Sequence, residues 1–397
     1  MITHRYRAAQ LRSIYLDYNA TTPLAPEVYD AMLPYLVEHF GNPSSSHVYG
    51  VQAREAVERA RVETAQLIGC QPEEVIFTSG ATESNNQAIR GILEKRRHRG
   101  NHIITSVIEH PAVLRVCAYL EKIGIEITRL PVDEMGLVNV NDVERAITRR
   151  TILVSVMHAN NEVGTIQPIA EIAAIAHNHD ILVHTDAAQS VGKIATQVDQ
   201  LNVDLLSIAG HKMYAPKGVG ALYIRSGILA EKLLYGADQE NGRRAGTENV
   251  PGIVGLGTAC ALARRTMAVE SERQKTLRDR LEQRLLSSVP ELKVNGHPDR
   301  RLPNTLSISF PGHRADHVLA EAKGLAASTG AACHDSTTEP SHVLTAMQLE
   351  PGHAAGTLRL TLGRPTTATE IEQAANLLVA AAKKLLQRLK LGTSVPI

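Results

Sequence analysis

Between residues 74 and 225, short runs of β-branched and aliphatic residues alternate with stretches whose apolar positions recur at helical spacing. The runs are VIFTSG, HIITSVIEH, IEITRLPV, TILVSVMHA, ILVHTDAA, LLSIAGHK and GALYIR. This alternation predicts βαβ units and a largely parallel sheet. Parallel sheets gather ligands outside the carboxyl ends of their strands. The polar residues that close the runs, Thr78-Ser79-Gly80, Glu109-His110, His158 to Glu162, Asp186 and His211-Lys212, are therefore predicted to share one rim. From about residue 258 to 288 the chain becomes charged, with Arg and Glu dense between Leu positions, and predicts a long connecting helix. Beyond it LPNTLSISF and TLRLTLGR read as strands and residues 370–389 as an amphipathic helix. The expected architecture is α/β, with a large domain over residues 15–260 and a smaller α+β domain over residues 261–397, joined by residues 1–14.

A chain of 397 residues, 43% hydrophobic and 21% charged, can bury a large core. Its 42 basic and 41 acidic residues leave a net charge of +1, so no bulk field favours direct contact with nucleic acid or an anionic membrane. No apolar stretch reaches the roughly 18 residues that span a bilayer, and a cytoplasmic location is the expectation. Cys70, Cys117, Cys260 and Cys333 are scattered, without Cys-x-x-Cys or His spacing for a metal, so neither a disulfide framework nor a zinc site is expected. The first three read as small buried residues. Cys333 differs, because the Ser/Thr/Gly-rich stretch 330–340 around it has no periodicity and reads as an exposed loop.

VIFTSG runs into Ala81-Thr82-Glu83 and a helical pattern, which reads either as ordinary capping or as a helix N-terminus able to cradle phosphate. Asp186 ends an apolar run and fits two roles, an N-cap or a carboxylate paired with a protonated pyridine nitrogen. Lys212 ends the next run, where burial and nearby charge would lower its pKa and supply the neutral amine that forms a Schiff base with a carbonyl cofactor. A strand-terminal Lys beside a strand-terminal Asp is the pattern pyridoxal phosphate (PLP) chemistry needs.

The segments YLDYNATTPL, GNPSSSH, FTSGATESNN, EHPAVL, HANNEVGTIQP, HTDAAQS, GHKMYAPKGVGALY, RRAGTENV, STGAACH and LRLTLGR, in this order, resemble the NifS-like cysteine desulfurases over nearly the whole chain. The resemblance implies the fold type I architecture of PLP-dependent transferases, PLP as cofactor and a homodimer with sites at the subunit interface. It makes Lys212 the PLP-binding lysine and His110 the residue over the ring that is available for proton transfer. Asp186 would meet the pyridine nitrogen, and Gln189 and Asn161 would lie by the ring hydroxyl and the substrate. Ala81, Thr82, Gly210 and His211 would hold the phosphate, with Thr247 reaching in from the other subunit. Arg359 would clamp the substrate carboxylate, and Cys333 would take sulfur from L-cysteine as a persulfide for an acceptor protein, leaving alanine.

Two departures bear on these roles. Position 209 is Ala where many of these enzymes carry a Ser that reaches the phosphate, and the cysteine loop reads GAACHD. The GAACH and GTEN elements also resemble selenocysteine lyases, so L-selenocysteine is the alternative substrate. A further alternative is a sulfur-donor subunit acting mainly in complex with a scaffold or modification partner.

Overall fold

The computed structural model describes residues 13–310, 312–329 and 341–390. The chain enters through β1 (Ile14–Tyr15), α1 (Pro26–Val37) and α2 (Val48–Ile68). There follow β2 (Val75–Thr78), α3 (Ala81–Arg96), β3 (His102–Ser106), α4 (Pro111–Lys122), β4 (Glu126–Leu130) and α5 (Val140–Ala146). The large domain continues with β5 (Thr151–Ser155), α6 (Ile169–His177), β6 (Leu182–Asp186), α7 (Val198–Leu201), β7 (Leu205–Ala209) and β8 (Gly220–Ile224). These seven strands, β2 to β8, form one sheet in the order β2-β8-β7-β6-β5-β3-β4. Each predicted run supplies one of them.

Neighbours from β7 to β4 pair in parallel, whereas β8 runs antiparallel to both β7 and β2. The short connection from β7 to β8 holds no crossover helix of the kind a parallel pair requires, so β8 returns reversed. Alternate residues go to opposite layers, as a two-residue period demands. Val75, Phe77, Leu206, Ile208, Ala221 and Tyr223 pack into one core, and Ile76, Leu205, Leu222 and Ile224 into a second core under α3 and α4. Helices on both faces bury β3, β5, β6 and β7 along their whole length.

The connecting helix α8 (Val250–Ser288) begins earlier than its charge pattern predicts, capped by the Asn249 side chain with Pro251 in its first turn. Its early turns are rich in small residues because they lie against α2. A Cβ on Gly257 would stand 2.5 Å from the Ala60 Cα. The helix packs its first turns into the large core, then places Leu277, Leu281 and Leu285 in a third core. That core is built with β9 (Lys293–Asn295), β10 (Thr305–Ser309), α9 (Ala315–Glu321), β11 (Leu325–Ala326) and β12 (Ser328–Thr329), and the chain resumes with α10 (His342–Ala346), α11 (Pro351–Ala355), β13 (Thr357–Thr361) and α12 (Ala368–Lys390). An antiparallel sheet in the order β12-β13-β10-β9 carries α12 on its apolar face, while β1 pairs with β11. Val343 and Leu344 of α10, and Met347 just after it, pack instead into the large core. Cys333 lies outside the described residues. Among the described residues no helix is long and apolar enough to cross a membrane.

Candidate active site

Strand β7 is apolar and buried up to Ala209, and a tight 3-10 turn over Gly210–Lys212 carries Lys212 onto the rim. Its Nζ donates to the Asn19 carbonyl at 2.5 Å and the Ala20 carbonyl at 2.8 Å. Burial, then the charge of Arg359, pushes its pKa down to about 8, against the opposing pull of Asp17 and Asp186. Asp186 closes the neighbouring strand β6. Its Oδ1 accepts from the Ala188 N–H at 2.9 Å and its Oδ2 from Asn85 Nδ2 of α3 at 2.7 Å. The helix expected to start near Ala187 is absent, the next being α7 at Val198, so Asp186 closes a turn through one oxygen and is held by α3 through the other.

Asn19 is the hub under this rim. Its carbonyl also accepts from Gln189 Nε2 at 2.9 Å, and its Oδ1 accepts from Lys193 Nζ at 3.1 Å and Asn304 Nδ2 at 3.0 Å. Lys193 donates a further bond of 2.8 Å to Gln189 Oε1. Burial, then Lys212 and Arg359, holds the Lys193 amine well below the ordinary lysine range. His211 beside them bonds Thr21 Oγ1 at 3.1 Å, and burial, then Lys212, Lys217 and Lys193, pushes its pKa down to about 4. At neutral pH its ring is uncharged.

Two strands along the same edge, after β2, stands the N-terminus of α3, whose first N–H groups have no partner within the helix. Gly80 precedes it at φ 149°, and a Cβ there would project into space with no atom within 4 Å. Ala81 is half-buried and Thr82 exposed, while Gly210 is buried, its N–H bonded to the Val219 carbonyl at 3.1 Å. Glu83 turns away from this opening to accept from the Ser79 N–H at 2.8 Å and Arg244 Nε at 2.9 Å. That ion pair ties down the loop bearing Thr247, which is exposed.

His110 caps α4, its Nδ1 accepting from the Ala112 N–H at 3.1 Å, which leaves the ring proton to Nε2. From β13, Arg359 donates through Nη2 to Asp17 Oδ1 at 2.8 Å and Ser328 Oγ at 3.0 Å, and through Nη1 to the Asn161 carbonyl at 3.2 Å. Its Nε is buried without a hydrogen-bond partner. The rim thus gathers Lys212, Lys193 and Arg359, with Asp17 and Asp186 already hydrogen-bonded among them and the Glu162 carboxyl in the field of Arg359. A ligand bearing a phosphate and a carboxylate balances it.

Residues 14–374 match the class-V aminotransferase family. The chain is 50% identical over 376 residues to the cysteine desulfurase IscS of Dictyoglomus turgidum, covering 94% of this chain and 95% of that protein. Among solved structures, a NifS-like protein superposes with a TM-score of 0.88 at 36% identity, covering 94% of this chain and all of the other. A structure of SspA in complex with cysteine superposes with a TM-score of 0.79 at 39% identity, covering 88% and 99%. The chain belongs to the class-V aminotransferase family, among its cysteine desulfurases.

Against that family, the fold brings ten of the residues singled out from the sequence to one rim or its immediate frame: Ala81, Thr82, His110, Asn161, Asp186, Gln189, Gly210, His211, Lys212 and Arg359. Thr247 stands apart on an exposed loop, and Cys333 lies outside the described residues. Two rim residues face inward. Glu109 is buried, with Oε1 taken by Ser106 Oγ at 2.6 Å and the Met157 N–H at 2.9 Å, and burial pushes its pKa up to about 8. His158 is buried against Ser190 Oγ at 2.9 Å, and burial pushes its pKa down to about 4. Asp17, Asn19, Asn85 and Lys193 did not emerge from strand-end reasoning. Asn85 carried a signal, since it lies four residues into α3 on the face turned to the sheet; Lys193 carried none.

Proposed function

We propose that this protein is a PLP-dependent cysteine desulfurase that holds its cofactor on Lys212, removes sulfur from L-cysteine and receives it on Cys333. The observation that carries the reading is the half-buried Lys212 amine, held by the Asn19 and Ala20 carbonyls at the end of β7, beside the hydrogen-bonded Asp186 carboxylate at the end of the neighbouring β6. The residues suit pyridoxal phosphate: Gly80 leaves its cradle open, the α3 N-terminus and neutral His211 suit a phosphate, and Asp186, fixed in place by Asn85 and the Ala188 N–H, suits a ring nitrogen. When bound, the cofactor supplies an electron sink for a carbanion at the amino acid's α-carbon.

Lys212 would hold the cofactor and is placed to take the α-proton as base, and Arg359 orients the carboxylate. The Cys333 thiolate attacks the substrate sulfur; the carbon–sulfur bond breaks with its electrons left on carbon, which takes a proton to become alanine. His110 Nε2 is the second proton carrier. The exposed Thr247 supports a homodimer in which it completes the partner's phosphate site, and the persulfide passes to an acceptor protein.

Borohydride reduction followed by peptide mapping tests the attachment. Label is expected on Lys212 and vanishes in Lys212→Ala, whereas label on Lys193 refutes it. Cys333→Ala is expected to keep the yellow cofactor but form no persulfide from L-cysteine.

A further inference from the structure

Arg359, the residue read as the carboxylate clamp, is already engaged by a carboxylate of the protein itself. A guanidinium grips a carboxylate best through two parallel N–H bonds, either from Nη1 and Nη2 or from Nε and Nη2. Both edges share Nη2, and both of its hydrogens are used, one by Asp17 Oδ1 at 2.8 Å and one by Ser328 Oγ at 3.0 Å. A forked grip on a ligand therefore requires one of these partners to let go. Ser328 sits in β12, paired with β13, and its hydroxyl is neutral. Asp17 competes directly, charge for charge.

The Asp17 backbone is held: its carbonyl accepts from Tyr15 Oη at 3.0 Å and the Ala20 N–H at 3.0 Å, and the residue bridges to Thr361. Only its side chain can leave. The same short segment ends in the two carbonyls that hold Lys212 Nζ, so a released carboxylate remains in the field of the lysine.

We propose that Asp17 is an internal stand-in for the substrate's α-carboxylate, so that an amino acid binds by exchanging its carboxylate for that of Asp17 on Arg359. Asp17 is a positioning residue for specificity. A ligand without a carboxylate leaves the internal pair intact, and one with an additional acidic group meets the displaced Asp17. The inference rests on reading Arg359 as the carboxylate site.

Calorimetry on the holoenzyme tests it with two thiols that lack the amine needed to replace Lys212 on the cofactor and differ in the carboxylate: mercaptopropionate, which carries one, and propanethiol, which does not. In Asp17→Asn the carboxylate probe is expected to bind about tenfold more tightly, the scale of one charge-assisted bond, with propanethiol unchanged. KM for L-cysteine falls in parallel, and the visible band titrates at lower pH because the charge that raises the Lys212 pKa is gone. Asp17→Ser, too short to reach Arg359, gives the same reading should the amide variant misfold. A folded Asp17 variant that binds mercaptopropionate no better than the parent overturns the exchange. Arg359→Ala separates the two ideas: if it leaves mercaptopropionate affinity untouched, the carboxylate site itself is wrongly assigned.

Discussion

Two arginines of this chain, Arg61 and the half-buried Arg359, are treated in opposite ways. Arg61, under β2, is 5% exposed and forks onto both oxygens of Glu240 at 2.7 and 2.9 Å. It also donates to the Val75 carbonyl at 2.9 Å and Glu58 at 3.1 Å, and stacks 4.8 Å over Phe77, while Glu240 accepts from the Phe77 N–H at 2.9 Å. Arg359 meets its carboxylate through one nitrogen and keeps a buried Nε without a partner. The first arrangement is complete and fastens the Thr247-bearing loop to the sheet. The second is left incomplete where a ligand must arrive. Between these two arginines the difference is one of polar satisfaction: a saturated ion pair resists change and a partly paired one has a donor to offer.

The largest expected effect tests the scaffold side. Glu240→Ala strands the Arg61 charge in the interior and is expected to cost about 3–5 kcal/mol in urea unfolding, the usual penalty for breaking a buried pair. Replacing both partners by apolar residues should cost much less. A single-variant loss under about 1 kcal/mol, the value of an exposed pair, would break the distinction.

At the site the pattern reverses. Arg359→Lys keeps the charge but loses the fork, so KM for L-cysteine is expected to rise by roughly tenfold or more. The unfolding midpoint should barely move, since the native pairing is already partial. A large stability loss with an unchanged KM would make Arg359 a second Arg61.

The last effect is one of pH dependence and concerns Glu109. Its carboxyl is raised from 4.5 to about 8 by burial, so the folded state holds a proton that the unfolded state has lost. Its contribution to stability is therefore full at acid pH, declines as pH rises from about 4.5 to about 8, and is flat above. Glu109→Gln should remove that part of the slope while leaving stability near pH 5 little changed. An identical pH profile in the variant would mean that the carboxylate is ionised in the fold.

Much of this was legible along the chain. Strand-end polar residues are visible because apolar runs stop abruptly at Thr78, Asp186 and Lys212, and parallel sheets collect such ends. The inward turn of Glu109 and His158 was not legible, since a polar residue after a strand looks the same whether it faces the cleft or a buried serine. Nor was the reversal of β8, which depends on a connection too short for a helix and not on the composition of GALYIR.

The amino-acid sequence by itself determined the seven strand runs, the amphipathic terminal helix, the family motifs and the chemical types assembled at the rim, because periodicity and residue chemistry are local properties. Tertiary structure alone decided that Asn19, from the first turns of the chain, underlies Lys212, Lys193 and Gln189, and that Asp17 reaches an arginine 342 positions away. Those are long-range pairings set by how the layers close over one another. No periodicity records which distant carboxylate a strand-borne arginine will meet.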